Sequence, residues 1–305
     1  MWTVDDAPDL NGKLTVITGA NSGLGLQTAH ELARKNAQVV IASRSLDKAE
    51  AARRALLKEI PTARLEILHL DLASLASVSE FAQAFIEKHD RLDILVNNAG
   101  VMATNYAKTQ DGFELQFGTN HLGHFALTGE LLEILSRTPG SRVVTVSSTG
   151  AWGGWIRFDD LNWERYYERW LAYGQSKLAN LLFAFELQRR LEKSTLPVIS
   201  LAAHPGFAQS NLRQAQIDKG LPFFQRMLFT IFDLPAQPVE AGALPQLYAA
   251  ISPQVHGGEF YGPSGLLQMR GAPVAVRGPA RAYSPELAAR LWQVSEELTG
   301  VKFAI

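Results

Sequence analysis

Cysteine is absent from the 305-residue chain. No disulfide framework, thiolate metal site or cysteine nucleophile can be built from it, and a reducing compartment suits such a chain. A surplus of charge is missing too. The 29 basic and 30 acidic side chains leave a net charge of −1, which excludes a broadly cationic nucleic-acid binder. No apolar run approaches the roughly 18 residues needed to span a bilayer. The opening MWTVDDAPDLNGK is acidic where a signal peptide is basic. Linkers, low-complexity tracts and internal repeats are also lacking. These absences predict a soluble, cytoplasmic protein with no nucleic-acid partner and no transmembrane segment.

What is present is an alternation. Leu14–Thr18, Gln38–Ala42, Leu65–Leu70, Ile94–Val96, Arg142–Ser147 and Val198–Ala203 read as strands apolar on both faces. Such strands belong to a parallel sheet covered by helices. Between them, Leu24–Lys35, Leu46–Glu59, Leu75–Lys88, Gly112–Leu135 and Leu178–Glu192 have helical period. The pattern predicts an α/β fold: one Rossmann-type, doubly wound parallel sheet with helices on both faces, in a single domain over residues 1–305. Residues from about 12 to 212 form the core, and about 213–280 form a decorated substrate lid region. A C-terminal helix follows over 284–300, with Ser284 as N-cap, Pro285 at the first helical position and Gly300 as the stop. Open sheets of this kind bind ligands beyond the C-terminal ends of their strands.

The first such end carries Thr18-Gly19-Ala20-Asn21-Ser22-Gly23-Leu24-Gly25. Gly19 permits a tight turn, and Gly23 lets backbone approach a pyrophosphate. Gly25 allows close helix–strand packing, and the helix N-terminus offers unpaired N–H donors. The spacing is Gly-x3-Gly-x-Gly. Asn97-Asn98-Ala99-Gly100 follows the fourth strand, with Asn97 expected to line the same cleft. Further on, Tyr173 and Lys177 are four apart, which puts phenol and ammonium on one helical face.

The glycine turn, the Asn97–Gly100 run, Ser148, Tyr173 and Lys177 together resemble the short-chain dehydrogenase/reductase family, over about Gly12 to Leu212. The resemblance implies a nicotinamide cofactor held by Gly19, Asn21, Ser22, Gly23, Leu24, Gly25, Ala99 and Gly100. Asp71 and Leu72 resemble the family's adenine-contacting pair, with an N-cap role as the alternative for Asp71. Pro205, Gly206 and Ser210 resemble the loop beside the nicotinamide, where His204 reads as a packed residue. Tyr173 takes the role of general acid/base, and Lys177 that of pKa modulator and ribose anchor. Ser148 positions the substrate oxygen, with Ser147 as the alternative hydroxyl. Asn120 supports a proton relay through a water beside Lys177. No metal is expected: His121 and His124 are three apart, but nothing nearby completes a ligand set.

The second strand ends Ser43-Arg44, with Ser43 where an NAD-binding chain places an acid. A guanidinium suits the 2′-phosphate of NADP, so NADP(H) is expected over NAD(H). The segment between Ser148 and Tyr173 is longer than the family's usual connection and holds four of the six tryptophans. It resembles retinol-dehydrogenase-like members. A small apolar carbonyl or alcohol of the retinoid, steroid or long-chain kind is the expected substrate. Residues 221–232 read as a substrate lid or as a helix making peripheral membrane contact. Helices around 112–135 and 175–192 are those through which the family's homodimers pair. The alternatives are an NADP(H)-binding regulator on the same fold and a C=C reductase like protochlorophyllide reductase, which is expected to carry a functional cysteine.

Overall fold

The computed structural model describes residues 2–208 and 236–305. Ser210 and the 221–232 segment lie outside the described residues. The strands are β1 (Leu14–Thr18), β2 (Gln38–Ser43), β3 (Arg64–His69), β4 (Ile94–Asn97), β5 (Ser141–Val146), β6 (Val198–Ala203), β7 (Phe260–Pro263) and β8 (Pro273–Ala275). They form one sheet in the order β3-β2-β1-β4-β5-β6-β7-β8. Every neighbouring pair is parallel except β7 with β8. The chain reverses its direction of winding between β1 and β4, the point at which such sheets open a crevice.

Val39, Ile41, Ile17, Val96 and Val144 face one helical layer, made by α1 (Gly23–Arg34), α2 (Leu46–Glu59) and α8 (Val239–Ile251). Val16, Leu95 and Val143 face the other, made by α3 (Leu75–Lys88), α5 (Gly123–Glu130) and α7 (Arg169–Ser194). Alternate residues of one strand thus feed two cores, which is why these segments read as apolar throughout. β3 departs from that reading. As an edge strand it leaves Arg64 and His69 exposed and its middle half-buried.

Two helical boundaries differ from expectation. The stretch read as one helix over 112–135 is four pieces: α4 (Leu115–Phe117), a π-turn (Gly118–Leu122), α5 and α6 (Leu132–Ser136). α7 starts at Arg169, well before the expected 178, because the Glu168 carboxylate accepts the Leu171 N–H as an N-cap. The last helix, α9 (Pro285–Thr299), has the expected punctuation. Ser284 Oγ accepts the Leu287 N–H, and Gly300 closes the helix at φ +71°.

This chain's own C-terminus packs against part of the helices expected to pair two copies. Trp292 and Phe303 pack on Phe125 and Phe183, and a Cβ on Gly129 would sit 2.5 Å from Val301. Among the described residues no helix is long and apolar enough to cross a membrane.

Candidate active site

At the crevice between β1 and β4 lies a cleft of about 290 Å³, lined by Gly19, Asn21, Ser22, Gly23, Leu24, Gly25, Ser43, Arg44, Asp71, Leu72, Ala99 and Gly100. Gly19 adopts φ +70° and Gly23 φ +55°, conformations that other L-residues avoid. Ser22 precedes α1 without capping it through its side chain, so the donors of the first helical turn remain turned to the cleft. These are features that a dinucleotide's phosphates require, and the residues fit one. A larger hollow of about 640 Å³ opens at the opposite ends of the strands, around Lys13, Arg64 and Lys88. It contains none of the residues singled out from the sequence.

Asn97 does not line the cleft. It is fully buried beneath α5, where its Nδ2 donates to Thr128, and Asn98 takes the lining position. Asp71 does line it, while Ser74, not Asp71, caps α3. The Asp71 carboxylate accepts the Ala73 N–H at 3.0 Å. Ser43 is buried and donates to the Ser45 carbonyl. Arg44 stands exposed at the rim and enters no ion pair among the described residues.

Across the crevice, β5 ends at the two serines. The Ser147 hydroxyl donates to the Lys177 carbonyl at 2.7 Å and is thereby committed to the backbone of α7. Ser148 Oγ accepts the Gly150 N–H, and it meets the Tyr173 ring across Gly150, where a Cβ would lie 3.6 Å from the hydroxyl. The approach depends on glycines: a Cβ on Gly154 would lie 2.2 Å from the Gly174 carbonyl, and one on Gly150 would lie 2.9 Å from the Tyr173 ring. Bare backbone here lets the short turn after Ser148 rest directly on α7.

Tyr173 and Lys177 occupy successive turns of α7, with the ammonium 5.9 Å from the phenol ring centre. Burial pushes the Tyr173 phenol up, and the neighbouring Ser148 hydroxyl opposes this. Burial pulls the Lys177 ammonium down to about 8. Burial therefore keeps Tyr173 protonated in the protein alone, and the raised acidity expected of it beside Lys177 is not seen there. The ammonium is aimed instead at the Val146 carbonyl, 3.1 Å away.

Asn120 sits in the π-turn. Its Nδ2 donates to the Val101 carbonyl and Ser176 Oγ, and its Oδ1 accepts the Val101 N–H. These bonds give an asparagine, a poor helix former, a reason to be there. A Cβ on Gly100 would be 3.0 Å from Asn120 Oδ1 and 3.5 Å from Lys177 Nζ, so the cleft and the Tyr173 pocket meet at Gly100. Beyond β6, Pro205 and Gly206 follow His204, which is buried between Gln268 and the Gly206 N–H. Thr18, Ser176 and Asn180 carry no role of their own in the sequence reading. The one signal available for them was their position at a strand end or one helical turn from a residue already named.

Residues 13–220 match the family described as short chain dehydrogenase. The chain belongs to that family. It is 43% identical over 294 residues to retinol dehydrogenase 13 of Homo sapiens, covering 95% of this chain and 86% of that protein. Retinol dehydrogenase 14 of Mus musculus is 40% identical over 306 residues, covering 96% and 87%. A crystal structure of a putative uncharacterized protein from Mycobacterium Paratuberculosis is 44% identical and superposes with a TM-score of 0.83, over 100% of this chain and 99% of that one. This short-chain dehydrogenase is accordingly an oxidoreductase of CH–OH and C=O groups that uses a nicotinamide cofactor.

Proposed function

We propose that the chain is an NADP(H)-dependent enzyme interconverting a carbonyl and an alcohol on a lipophilic substrate of the retinoid, steroid or long-chain aldehyde kind. The observation that carries this reading is the meeting of the Ser148 hydroxyl and the buried, protonated Tyr173 at Gly150, with Lys177 reaching the Gly100 end of the cleft. When bound, the dinucleotide supplies or takes up the hydride. In the reducing direction Ser148 and Tyr173 grip the substrate oxygen, and the phenol gives it a proton as negative charge develops. A phenol kept neutral by burial is in the correct state for that step. Lys177 holds a positive charge below pH about 8 and stabilises the phenolate left behind. Asn120 fixes Val101 and Ser176 around them.

NADP preference rests on the rim of the cleft, where Arg44 and Lys48 stand with Ser43 and Ser45. All four are polar or cationic groups suited to a 2′-phosphate, and β2 ends without a carboxylate that would repel one. The lipophilic substrate rests on the aromatic segment before Tyr173. Trp163 is packed inside under Arg157, whereas Trp152 and Trp155 remain 51% and 67% exposed. That the relatives are named as retinol dehydrogenases agrees with it. Consumption of NADPH and NADH in the dark with a panel of apolar aldehydes tests the proposal. Turnover with NADPH and loss of it in Tyr173→Phe are expected. NADPH binding without consumption of any aldehyde would favour the regulator.

A further inference from the structure

One buried titratable side chain outside the proposed catalytic set reaches both walls of the cofactor cleft. His124 lies on α5, one turn after Asn120, and is 1% exposed. Its Nδ1 is 2.9 Å from the Asn120 backbone carbonyl. A carbonyl only accepts, so Nδ1 bears the proton, and in the neutral ring Nε2 then carries a lone pair. Nε2 in turn is 2.9 Å from Thr18 Oγ1, well inside the 3.4 Å to the Val96 carbonyl, so the threonine hydroxyl donates to the ring. That leaves the threonine oxygen to accept, which it does from the peptide N–H groups of Asn98 and Ala99, at 2.9 Å each. Every hydrogen bond in the chain Asn120–His124–Thr18–Asn98/Ala99 has one allowed direction.

The two ends of this chain matter. Thr18 adjoins Gly19, and Ala99 is so close that a Cβ on Gly19 would meet its Cβ at 3.0 Å. Both belong to the cleft lining. At the other end, the Asn120 carbonyl belongs to the π-turn, whose side-chain amide holds Val101. Burial and the charge of Lys177 keep the imidazole neutral at ordinary pH, so it acts as a fixed donor–acceptor link.

We propose that His124 is a positioning residue: its neutral Nδ1–H tautomer ties the Asn120 carbonyl to the Thr18 hydroxyl and so sets the spacing between the two walls of the cofactor cleft. The functional weight of this assignment rests on the cofactor reading above. The hydrogen-bond chain itself does not.

The test uses the full-length protein with His124→Leu, His124→Asn and Thr18→Val. NADPH affinity by fluorescence and kcat against KM for NADPH are the readouts. Losing the link is expected to weaken NADPH binding about tenfold, the order of one buried hydrogen bond. The His124→Leu/Thr18→Val double variant should be no weaker than the worse single. His124→Asn, whose amide can still donate to the Asn120 carbonyl, should recover part of the affinity and guards against a leucine variant that fails to fold. Nitrogen-15 shifts of the imidazole read the tautomer in the wild type, whatever the cofactor or activity proves to be. Unchanged NADPH affinity in folded variants, additive losses, or an Nε2–H or charged ring at pH 7 would overturn the proposal. Absence of aldehyde turnover in the wild type would instead overturn the catalytic reading and leave the tautomer and binding results to stand.

Discussion

The Lys177 ammonium and the Asn180 side-chain amide share one acceptor: both donate to the Val146 carbonyl, each at 3.1 Å. Val146 is the last residue of β5, two before Ser148. The lysine of the pocket is therefore anchored to the very strand that delivers the serine. A buried carbonyl with two donors, one cationic, also keeps the ammonium hydrogen-bonded where solvent does not reach.

Removing the phenol oxygen should separate binding from chemistry. Tyr173→Phe is expected to lower kcat by at least ~10²-fold, the scale of general acid catalysis, with NADPH affinity within about twofold. Stopped-flow reduction and fluorescence titration measure the two. Turnover near the wild-type rate would reassign the acid.

The cofactor preference should sit in one guanidinium. In Arg44→Ala, kcat/KM for NADPH is expected to drop by about 10–100-fold, as for loss of a charge-assisted hydrogen bond, while that for NADH stays level. Equal falls with both dinucleotides would place Arg44 outside the 2′-phosphate site.

Acid should weaken the fold through three imidazoles. Burial holds His121 at about 3, and His124 and His204 at about 4, against 6.5 for a free histidine. The unfolded chain then binds more protons in this interval, so the stability these groups retain above pH 6.5 is lost as pH falls from 6.5 toward 4. Urea midpoints should decline over that window. In His121→Gln the decline should be shallower; an identical slope would show that His121 carries none of it.

Packing between Gly154 and Gly174 allows a purely steric test. Gly154→Ala places a methyl against the Gly174 carbonyl and is expected to cost about 1–3 kcal/mol. Because the same turn seats Ser148 against Tyr173, kcat should fall along with Tm. A drop in Tm with kcat intact would mean that the serine is positioned by β5 alone.

Much of this architecture is written in periodicity. Leu14–Thr18, Leu46–Glu59, Leu75–Lys88 and Val198–Ala203 begin and end where the sequence pattern places them, since burial on both faces and clear punctuation leave little choice. The π-turn at Asn120 was not legible, because its cause is the distant Val101 and Ser176. The same holds for Ser147 and Ser148: only the contact with the Lys177 carbonyl separates two adjacent hydroxyls. β7 and β8 were hidden in the proline-rich C-terminal third, being four and three residues long. Asn97 was misplaced for a simpler reason. On a strand, one residue more or less exchanges one side of the sheet for the other.

α7 is 26 residues long, about 39 Å at the usual rise, and carries Tyr173, Ser176, Lys177 and Asn180 on consecutive turns. Its inner half works as a ruler. The separations among phenol, hydroxyl, ammonium and amide are stamped into one rigid rod and not negotiated between loops. Errors in that rod are correlated: a slip or rotation at any one of the four displaces all of them together. Tolerance to change should accordingly be lowest along this one edge, whatever happens to the loops that choose the substrate.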